Sequence, residues 1–535
     1  MLMLFAPRAD AQRVAGVGDD AIPIPQGGLR FRIAANWNRY DDVFRLQSGG
    51  NPGREPLLAR LEVPSLGVNL LPQLSETQSA IGTLTGSDNY ALTLGTLEAR
   101  GEVQENITPI AVDYGVMRRL SLGVVIPYVE ARTTTRFILN REGTGANVGQ
   151  NPAYLPAGNS ARVANGLVLR ELATAQASLL GEVERCALPD AMGCDAILAN
   201  PQGVQQLLTR ASQVQTAIAT VYGDSVFGGS VVAPIAGSAT HATVAATLAT
   251  LRTEFTNFGI DAIGENSVPV GATTVLGQGG FSRLLGDNVF GPGYSSLGNR
   301  RKSGIGDVDL TGTFLLFDSF KANQAQRFSP NGTKLRTAVT AGWRFGTATS
   351  RRMDDPFDLP TGEGVNALLF RSTTDLMAGR WFWISASARA VKPMKDNIAI
   401  AVPIRNDSTV FDPFTVVEAE RSLGTRFQLE VAPRAAVGEF FGLSAAYQLQ
   451  RLGDDNYSMA TDAGNANAIV PSRSLHLLTL GVTYSSLASF SRGRSRLPVE
   501  VIYSHSEPIA AGGGSIPAVA TDRLELRVYA GFPRR

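Results

Sequence analysis

The side chains that most often carry out catalysis are scarce in this chain. Its 535 residues include three histidines, His241, His476 and His505, and two cysteines, Cys186 and Cys194. A serine hydrolase needs a histidine within hydrogen-bond reach of a serine and a carboxylate. The sequence has no Gly-x-Ser-x-Gly motif, which marks the nucleophile of many such enzymes. It also has no phosphate-binding loop and no pair of histidines at metal-binding spacing. We therefore predict no catalytic residue, no metal site, no cofactor and no enzymatic activity, with an outer-membrane hydrolase as the weakest alternative.

The two cysteines are close together, and none of the histidines is near them in sequence. A zinc site is therefore disfavoured. A single close pair is typical of an exported protein, in which it forms one local disulfide. We predict a bond between Cys186 and Cys194; the alternative is two unpaired thiols.

Charge is low and balanced. Charged residues make up 18% of the chain, and 48 Lys and Arg oppose 47 Asp and Glu. This balance lacks the basic excess that neutralises phosphates, so we expect no nucleic-acid partner. No apolar run reaches the length of a membrane-spanning helix, about 18 residues.

The N-terminus has the character of an export signal. Residues 1–6 are mostly apolar, and Ala9-Asp10-Ala11 has the small-x-small pattern of a cleavage site. We interpret residues 1–11 as a residual signal peptide whose true start lies upstream; the alternative is a disordered soluble terminus. Residues 12–27 then form a periplasmic N-terminal segment or a plug.

Many of the charged residues lie in segments where apolar and polar side chains alternate. In the C-terminal segment, Leu524, Leu526 and Val528 share one face, while Glu525 and Arg527 share the other. A period of two places one face in an apolar medium and the other in a polar one. Segments of this kind are long enough to cross a membrane as tilted strands. We place them near 28–40, 106–117, 119–132, 305–318, 333–347, 366–378, 381–392, 423–436, 440–452, 474–486, 497–507 and 521–532.

The pattern predicts an all-β transmembrane β-barrel of about 12 antiparallel strands. Its connections alternate between tight turns, near 118, 379 and 438, and long loops such as 393–422. Outer-membrane barrels of Gram-negative bacteria place short turns in the periplasm and long loops outside. We therefore expect extracellular loops and periplasmic termini. The predicted divisions are 28–132 for strands 1–3 with a long first loop, 133–304 for an extracellular insertion, and 305–535 for strands 4–12.

The insertion 133–304 is predicted to be mainly α-helical. Apolar residues recur at helical spacing from Val168 to Val183, from Val204 to Val221, and from Val244 to Phe255. Pro201 marks the start of the second helix. The predicted disulfide closes the turn between the first two helices.

The polar face of the strands is the candidate functional surface, since it points into the lumen of a membrane barrel. Charges of both signs can line a hydrated passage and set its field. Alternatively, they pair across the lumen and hold a closed barrel together. The predicted lumen-lining residues are Arg30, Arg32, Asp113, Asp307, Asp309, Arg336, Arg344, Arg389, Arg426, Glu430, Arg434, Glu500, Glu525 and Arg527.

Two strand motifs resemble a known family. Residues 304–310 read Gly-x-Gly-Asp-x-x-Leu, and residues 120–128 form an apolar run closed by Pro127-Tyr128. Both resemble strands of the outer-membrane transporters of the phenol-degradation (meta-pathway) family, which are distantly like the long-chain fatty-acid outer-membrane transporters. The resemblance covers barrel segments and not the insertion. It implies passive uptake of small hydrophobic or aromatic compounds.

The leading hypothesis is a passive, porin-like outer-membrane channel for such compounds. The alternative is a barrel anchor that presents a helical interaction domain at the cell surface, because a simple channel does not need so large an insertion. The expected partners are outer-membrane lipids and lipopolysaccharide, the barrel assembly machinery, a small-molecule solute and, through 133–304, a surface protein.

Overall fold

A computed structural model describes most of the chain. The described residues are 20–21, 24–46, 52–141, 145–224, 229–286, 293, 299–319, 333–352, 358–378, 382–403, 414–437, 440–461, 464–491 and 493–531. The predicted signal remnant, residues 1–11, and most of the predicted segment 12–27 lie outside these residues.

Twelve antiparallel strands close into a barrel. In chain order they are β1 (Leu29–Tyr40), β2 (Leu97–Met117), β3 (Leu120–Leu139), β4 (Val308–Asp318), β5 (Lys334–Phe345), β6 (Ala367–Ala378), β7 (Phe382–Pro393), β8 (Arg426–Val437), β9 (Phe441–Leu452), β10 (Arg473–Ser485), β11 (Val499–Gly512) and β12 (Ala520–Ala530).

Each strand pairs with its neighbours in sequence, and the last strand returns to the first. β1 pairs with β12 from Leu29 opposite Ala530 to Arg39 opposite Ala520. On its other edge β1 pairs with β2, with Tyr40 opposite Val103. The predicted all-β barrel and its count of twelve are confirmed, and each strand overlaps a segment of alternating residues.

The alternation arises because the two faces of each strand meet different surroundings. Leu29 and Phe31 of β1 point outward and are exposed, whereas Arg32 and Asn36 point inward and are buried. The same holds around the barrel, so that apolar side chains cover the outer surface and polar ones fill the interior. This is the arrangement of a membrane-spanning barrel.

Strands β2 and β3 are much longer than the others, with 21 and 20 residues. The sequence prediction began β2 near 106 and ended β3 near 132. In the outer part of β2 the alternation continues, but the apolar residues Leu97, Ala99 and Val103 lie on the inward face, where they are buried. An additional strand, Arg300–Ile305, pairs with the outer part of β3. The chain then bends at Gly306 and continues along β3 as β4. Part of the predicted insertion 133–304 is therefore sheet.

The two ends of the barrel differ. At one end, which we call the turn end, short connections join β2 to β3, β6 to β7 and β8 to β9. A short helix, Leu487–Ser491, lies in the connection from β10 to β11 at this end. At the other end, which we call the loop end, the connections are long. Two of them form a four-stranded sheet from Asp396–Pro403, Phe414–Ser422, Asp455–Thr461 and Gly464–Val470.

The first loop and the insertion build one helical cap at the loop end. Its helices are α1 (Ser75–Thr85), α2 (Asn159–Cys186), α3 (Asp195–Ala199), α4 (Pro201–Tyr222), α5 (Ala239–Asn257) and α6 (Gln278–Gly286). The three predicted helices correspond to α2, α4 and α5, and the disulfide Cys186–Cys194 joins the end of α2 to the start of α3.

The cap and the barrel share a hydrophobic core. Leu61 and Ile81 of the first loop, Leu172 and Ile218 of the insertion, and Phe137 of β3 belong to one buried cluster. The first loop and the insertion are therefore a single packed unit seated on the β2–β3 hairpin, which the sequence did not predict. Among the described residues, no helix is both long and apolar enough to cross a membrane.

Candidate functional site

The barrel interior is lined by ion pairs between neighbouring strands. On β1 and β2, Asp113 lies 3.0 Å from both Arg30 and Arg32. On β12, Glu525 lies 2.9 Å from Arg523 and 3.0 Å from Arg527. Antiparallel registry places these side chains on one face at adjacent positions, so the pairs form along and across strands.

An N-terminal segment, described at residues 20–21 and 24–28, lies in the interior at the turn end. Asp20 lies 3.4 Å from Arg527 of β12. The amide of Ala21 donates to the carboxylate of Asp375 of β6 at 3.0 Å. Ala21 also packs with Leu315 of β4 and Ala338 of β5. The segment thus contacts strands on opposite sides of the barrel.

Arginine guanidinium groups stabilise the ionised form of Asp20. Burial alone would raise the pKa of Asp20, but the surrounding arginines outweigh burial and lower the pKa to about 2. In order of decreasing effect, these arginines are Arg30, Arg527, Arg434 and Arg336. Asp20 is therefore ionised at neutral pH and attached electrostatically to four strands.

Asp375 joins the segment to the barrel wall. Besides the amide of Ala21, its carboxylate accepts hydrogen bonds from Arg336 Nε at 2.7 Å and from Ser385 Oγ at 2.7 Å. Arg336 is 1% exposed. A charge so deeply buried needs a paired, hydrogen-bonded counter-charge, and Asp375 provides it.

Backbone contacts with β2 complete the attachment of the segment. The Gly27 amide donates to the Gly115 carbonyl at 2.8 Å, and the Gly115 amide donates to the Gly28 carbonyl at 3.0 Å. A Cβ atom at Gly115 would lie 2.0 Å from the carbonyl oxygen of Pro25, so only glycine permits this approach. Ile24 packs with Leu487, Phe490 and Tyr529.

At the loop end, the connection between β5 and β6 also folds inward. The Asp307 carboxylate accepts backbone hydrogen bonds from Glu363 at 2.9 Å, Ala348 at 3.1 Å and Gly364 at 3.2 Å. Thr361 donates to the Ile305 carbonyl at 3.1 Å. Residues 358–366, which we call the inward loop, are thereby attached to the bend before β4.

The inward loop carries its own charge into the barrel. Glu363 is buried and forms ion pairs with Arg426 of β8 and, at 4.0 Å, with Arg344 of β5. Arg344 also lies 3.0 Å from Asp309 of β4. A second set of polar contacts therefore joins β4, β5 and β8, at the opposite end from Asp20.

The remaining predicted lumen residues also lie on the inward face. Glu500 accepts a hydrogen bond from the Tyr529 hydroxyl at 2.7 Å. Glu430 accepts one from Gln448 Nε2 at 3.4 Å. The guanidinium of Arg434 stacks 5.5 Å above the ring of Trp383, and Arg389 is half-buried on β7.

The sequence did not single out Asp20, Glu363, Asp375 or Arg523 as lumen residues. Asp375 and Arg523 occupy alternating positions within predicted strands and could have been found from the pattern alone. Asp20 and Glu363 lie outside strands. One signal for them existed: the predicted lumen set contains more arginines than carboxylates, which indicates that other segments supply acids.

Each of the three histidine rings has its own polar partner. On the outer face of the barrel, His505 lies 3.0 Å from Asp522 and 3.3 Å from Glu507. His476 shares a hydrogen bond with the Tyr447 hydroxyl at 2.6 Å, and His241 lies 3.0 Å from the Pro269 carbonyl. In the described part of the chain, no serine or cysteine forms a hydrogen bond with any of these rings through its side chain.

The chain is similar to several solved structures. No family model and no curated relative matches it. An outer membrane channel from Pseudomonas putida F1 is 9% identical, with a TM-score of 0.39, over 96% of this chain and 98% of its own. The CymD monoaromatic hydrocarbon channel is 10% identical, with a TM-score of 0.25, over 94% of this chain and 88% of its own.

A FadL homologue from Pseudomonas aeruginosa is 8% identical, with a TM-score of 0.23, over 95% of this chain and 90% of its own. The names of these proteins agree with the resemblance in the strand motifs. At such identities and TM-scores, the function of this chain has to be argued from its own barrel.

Proposed function

We propose that this protein is a passive outer-membrane channel for small compounds, closed by its own N-terminal segment. The observation that carries the proposal is the attachment of that segment. Asp20 and Ala21 bind to the barrel wall through an ion pair and a hydrogen bond, and residues 27–28 bind through backbone hydrogen bonds. Contacts of this kind can be exchanged for contacts with water when the segment moves.

The wall behind the segment suits a hydrated passage. Ion pairs and polar side chains line it from the Asp20 region to the inward loop, and both signs of charge are present. A barrel that served only as an anchor would have no need of a carboxylate surrounded by arginines at one end. The strand motifs favour small hydrophobic or aromatic compounds as the solute.

The proposed orientation follows from the connections. Long loops and the cap face the outside, and the turn end with both termini faces the periplasm. Outer-membrane lipids surround the apolar outer face, with lipopolysaccharide near the loop end, and the barrel assembly machinery inserts the protein. The passage needs no energy source.

The test is solute flux through the purified protein in liposomes. Asp20→Asn removes the charge that four arginines hold, and we expect flux of ions and small aromatic solutes to rise several-fold. Glu420→Gln is a matched control, since Glu420 pairs with Lys395 in an exposed loop sheet. A folded barrel that passes neither ions nor solutes, with or without the Asp20 substitution, would refute the channel.

A second function is favoured by the cap. Leu188, Met192 and Leu198 are exposed around the disulfide-closed turn at the end of α2. Apolar side chains of this kind on a surface suit contact with another protein. In this alternative the barrel is an anchor for the cap. Removing the cap then abolishes binding of the surface partner, and solute flux through the barrel has no part in the function.

A further inference from the structure

One sector of the outer barrel surface carries a band of arginines. Arg39 of β1, Gln104 of β2, Arg132 of β3 and Arg301 of the strand Arg300–Ile305 lie opposite one another in one cross-strand row. All four side chains point outward and are exposed. Four residues further along the strands, Arg100 and Arg136 face each other in the same way.

The arginines begin where the apolar surface ends. Ile33, Ile110 and Ile126 form an outward row on β1, β2 and β3. Tyr128 and Ile305 form part of the next row toward the loop end. After one mixed row, which contains Trp37 and Glu130, the arginine row follows. From the row of Leu29 to that of Trp37 the apolar surface spans about 27 Å along the strand, which suits the height of a tilted membrane strand.

Like charges stand directly opposite each other in this band. Arg132 faces Arg301, and Arg100 faces Arg136. Such pairs are destabilising unless other groups compensate them. Nearby carboxylates compensate only part of the charge, since Glu102 pairs with Arg39 at 2.8 Å and Glu130 with Arg301 at 3.5 Å.

Three arginines of this band form no ion pair within the described residues: Arg100, Arg132 and Arg136. Opposed cations on the outer face repel each other and do not stabilise the barrel. An anion from outside the chain would reduce this repulsion. Arginine is suited to phosphate, which it can bind through two parallel hydrogen bonds.

We propose that this arginine face, Arg39, Arg100, Arg132, Arg136 and Arg301, binds the phosphate groups of an outer-leaflet glycolipid, the lipid A part of lipopolysaccharide. The phosphates lie between the opposed arginines. The acyl chains of the same molecule pack on the isoleucine and tyrosine rows, which lie below the mixed row. The inference rests on the proposed orientation, in which the loop end faces the outside.

A membrane lipid fits this surface better than a free anion does. The arginines are exposed and spread over four neighbouring strands, so no pocket encloses a single small ion. Their position one row above the apolar surface matches a molecule with charged and apolar parts. Binding then depends on the phosphate and on the acyl chains together.

The experiment measures lipid A binding by the full-length protein in detergent micelles, by native mass spectrometry. The test variants are the double substitutions Arg132→Gln/Arg301→Gln and Arg100→Gln/Arg136→Gln. The matched control is Lys392→Gln/Arg451→Gln, which removes two outward, exposed cations near the loop end of β7 and β9. Each protein is titrated with bis-phosphorylated lipid A, with dephosphorylated lipid A and with inorganic phosphate.

We expect each test variant to bind bis-phosphorylated lipid A at least about tenfold more weakly, because charge-assisted hydrogen bonds to phosphate are lost. The control should bind like the parent protein. In lipid-free detergent, the test variants should resist urea as well as or better than the parent, because a repulsive pair has been removed. A residue needed only for barrel folding would give the opposite result.

Three results would overturn the inference. Test variants that bind lipid A as tightly as the control would exclude the arginine face. Equal binding of phosphorylated and dephosphorylated lipid A would show that only the apolar surface is recognised. Displacement of lipid A by millimolar inorganic phosphate would identify a free-anion site. None of these measurements depends on solute flux, so failure of the channel proposal remains a separate result.

Discussion

Asp375 is the residue at which the barrel wall and the N-terminal segment meet. Its carboxylate binds Arg336, Ser385 and the Ala21 amide at once. Arg336 has almost no exposure, so its charge depends on partners inside the barrel. A single acid thereby serves both the stability of the wall and the position of the segment.

We predict that Asp375→Asn lowers the free energy of unfolding by about 3 kcal/mol or more, because a buried guanidinium loses its charged partner. Urea unfolding in lipid vesicles, followed by tryptophan fluorescence, measures the change. Glu420→Gln, in the exposed pair with Lys395, should cost less than about 1 kcal/mol. If the two variants are equally stable, the Arg336–Asp375 pair is not the support that its burial suggests.

The pH dependence of the closed state follows from Asp20. Its pKa is about 2 with the segment in place, against 3.8 for an ordinary aspartate. A lowered pKa means that ionised Asp20 stabilises attachment fully above 3.8, and that this contribution is lost as the pH falls through about 2. We predict unchanged flux in liposomes between about pH 5 and pH 8. Opening already near the ordinary aspartate pKa of 3.8 would mean that Asp20 titrates like a solvent-exposed aspartate and is not stabilised by the arginines.

At the scale of elements, the contact between the N-terminal segment and β2 depends on one glycine. A methyl group at Gly115 would collide with the carbonyl oxygens of Pro25 and Ile24, which lie 2.0 and 2.7 Å from the position of its Cβ. We predict that Gly115→Ala displaces residues 24–28 and raises solute flux, while the barrel still folds. Gly442→Ala is the control, because its nearest neighbour would lie 3.6 Å away.

Flux through the Gly115→Ala protein is compared with that of the parent and of Gly442→Ala, after folding is checked by heat-dependent mobility in gels. Equal flux in all three would show that the segment moves aside without opening a passage. Increased flux in the Gly442→Ala protein alone would contradict the assigned path of the segment.

The strands of the barrel were predictable because the side chains on the two faces of each strand match the surroundings of those faces. In β1, Phe31 faces apolar medium and Arg32 faces the interior, so the period of two is present in the local sequence. In the outer part of β2 the phase of the alternation is reversed, because the apolar residues Leu97, Ala99 and Val103 point inward into the core shared with the cap. Helix α1 was missed because its buried residues are few: Thr77, Ile81 and Leu84.

At the scale of the whole molecule, the sequence could not show which segments share a core or cross the lumen. Leu61 and Leu172 are far apart in the chain but belong to one buried cluster. Asp20 contacts Arg527, although the two residues lie near opposite ends of the sequence. Such contacts depend on closure of the barrel, and no local pattern encodes them. The Cys186–Cys194 bond, which is local, was predicted correctly.

The shared core determines how the channel and the anchor can be separated. Removing the insertion alone would expose the residues of the first loop and of β2 and β3 that pack against it, such as Leu61, Leu97 and Phe137. The register offers a cleaner cut. Tyr40 lies opposite Val103, and Thr133 lies opposite Arg300. Deleting residues 41–102 and 134–299 and closing each pair with an Asn-Gly turn leaves antiparallel hairpins of ordinary geometry.

We predict that this capless barrel folds and passes small solutes at least as fast as the parent protein in liposomes, because the charged groups that pair with Asp20 and with Glu363 all lie outside the deleted ranges. The control is the same deletion with Asp20→Asn, which should raise flux further. A folded capless barrel without flux would place part of the passage in the cap. Unchanged flux together with lost binding of a surface partner would show that the cap serves recognition while the barrel serves transport.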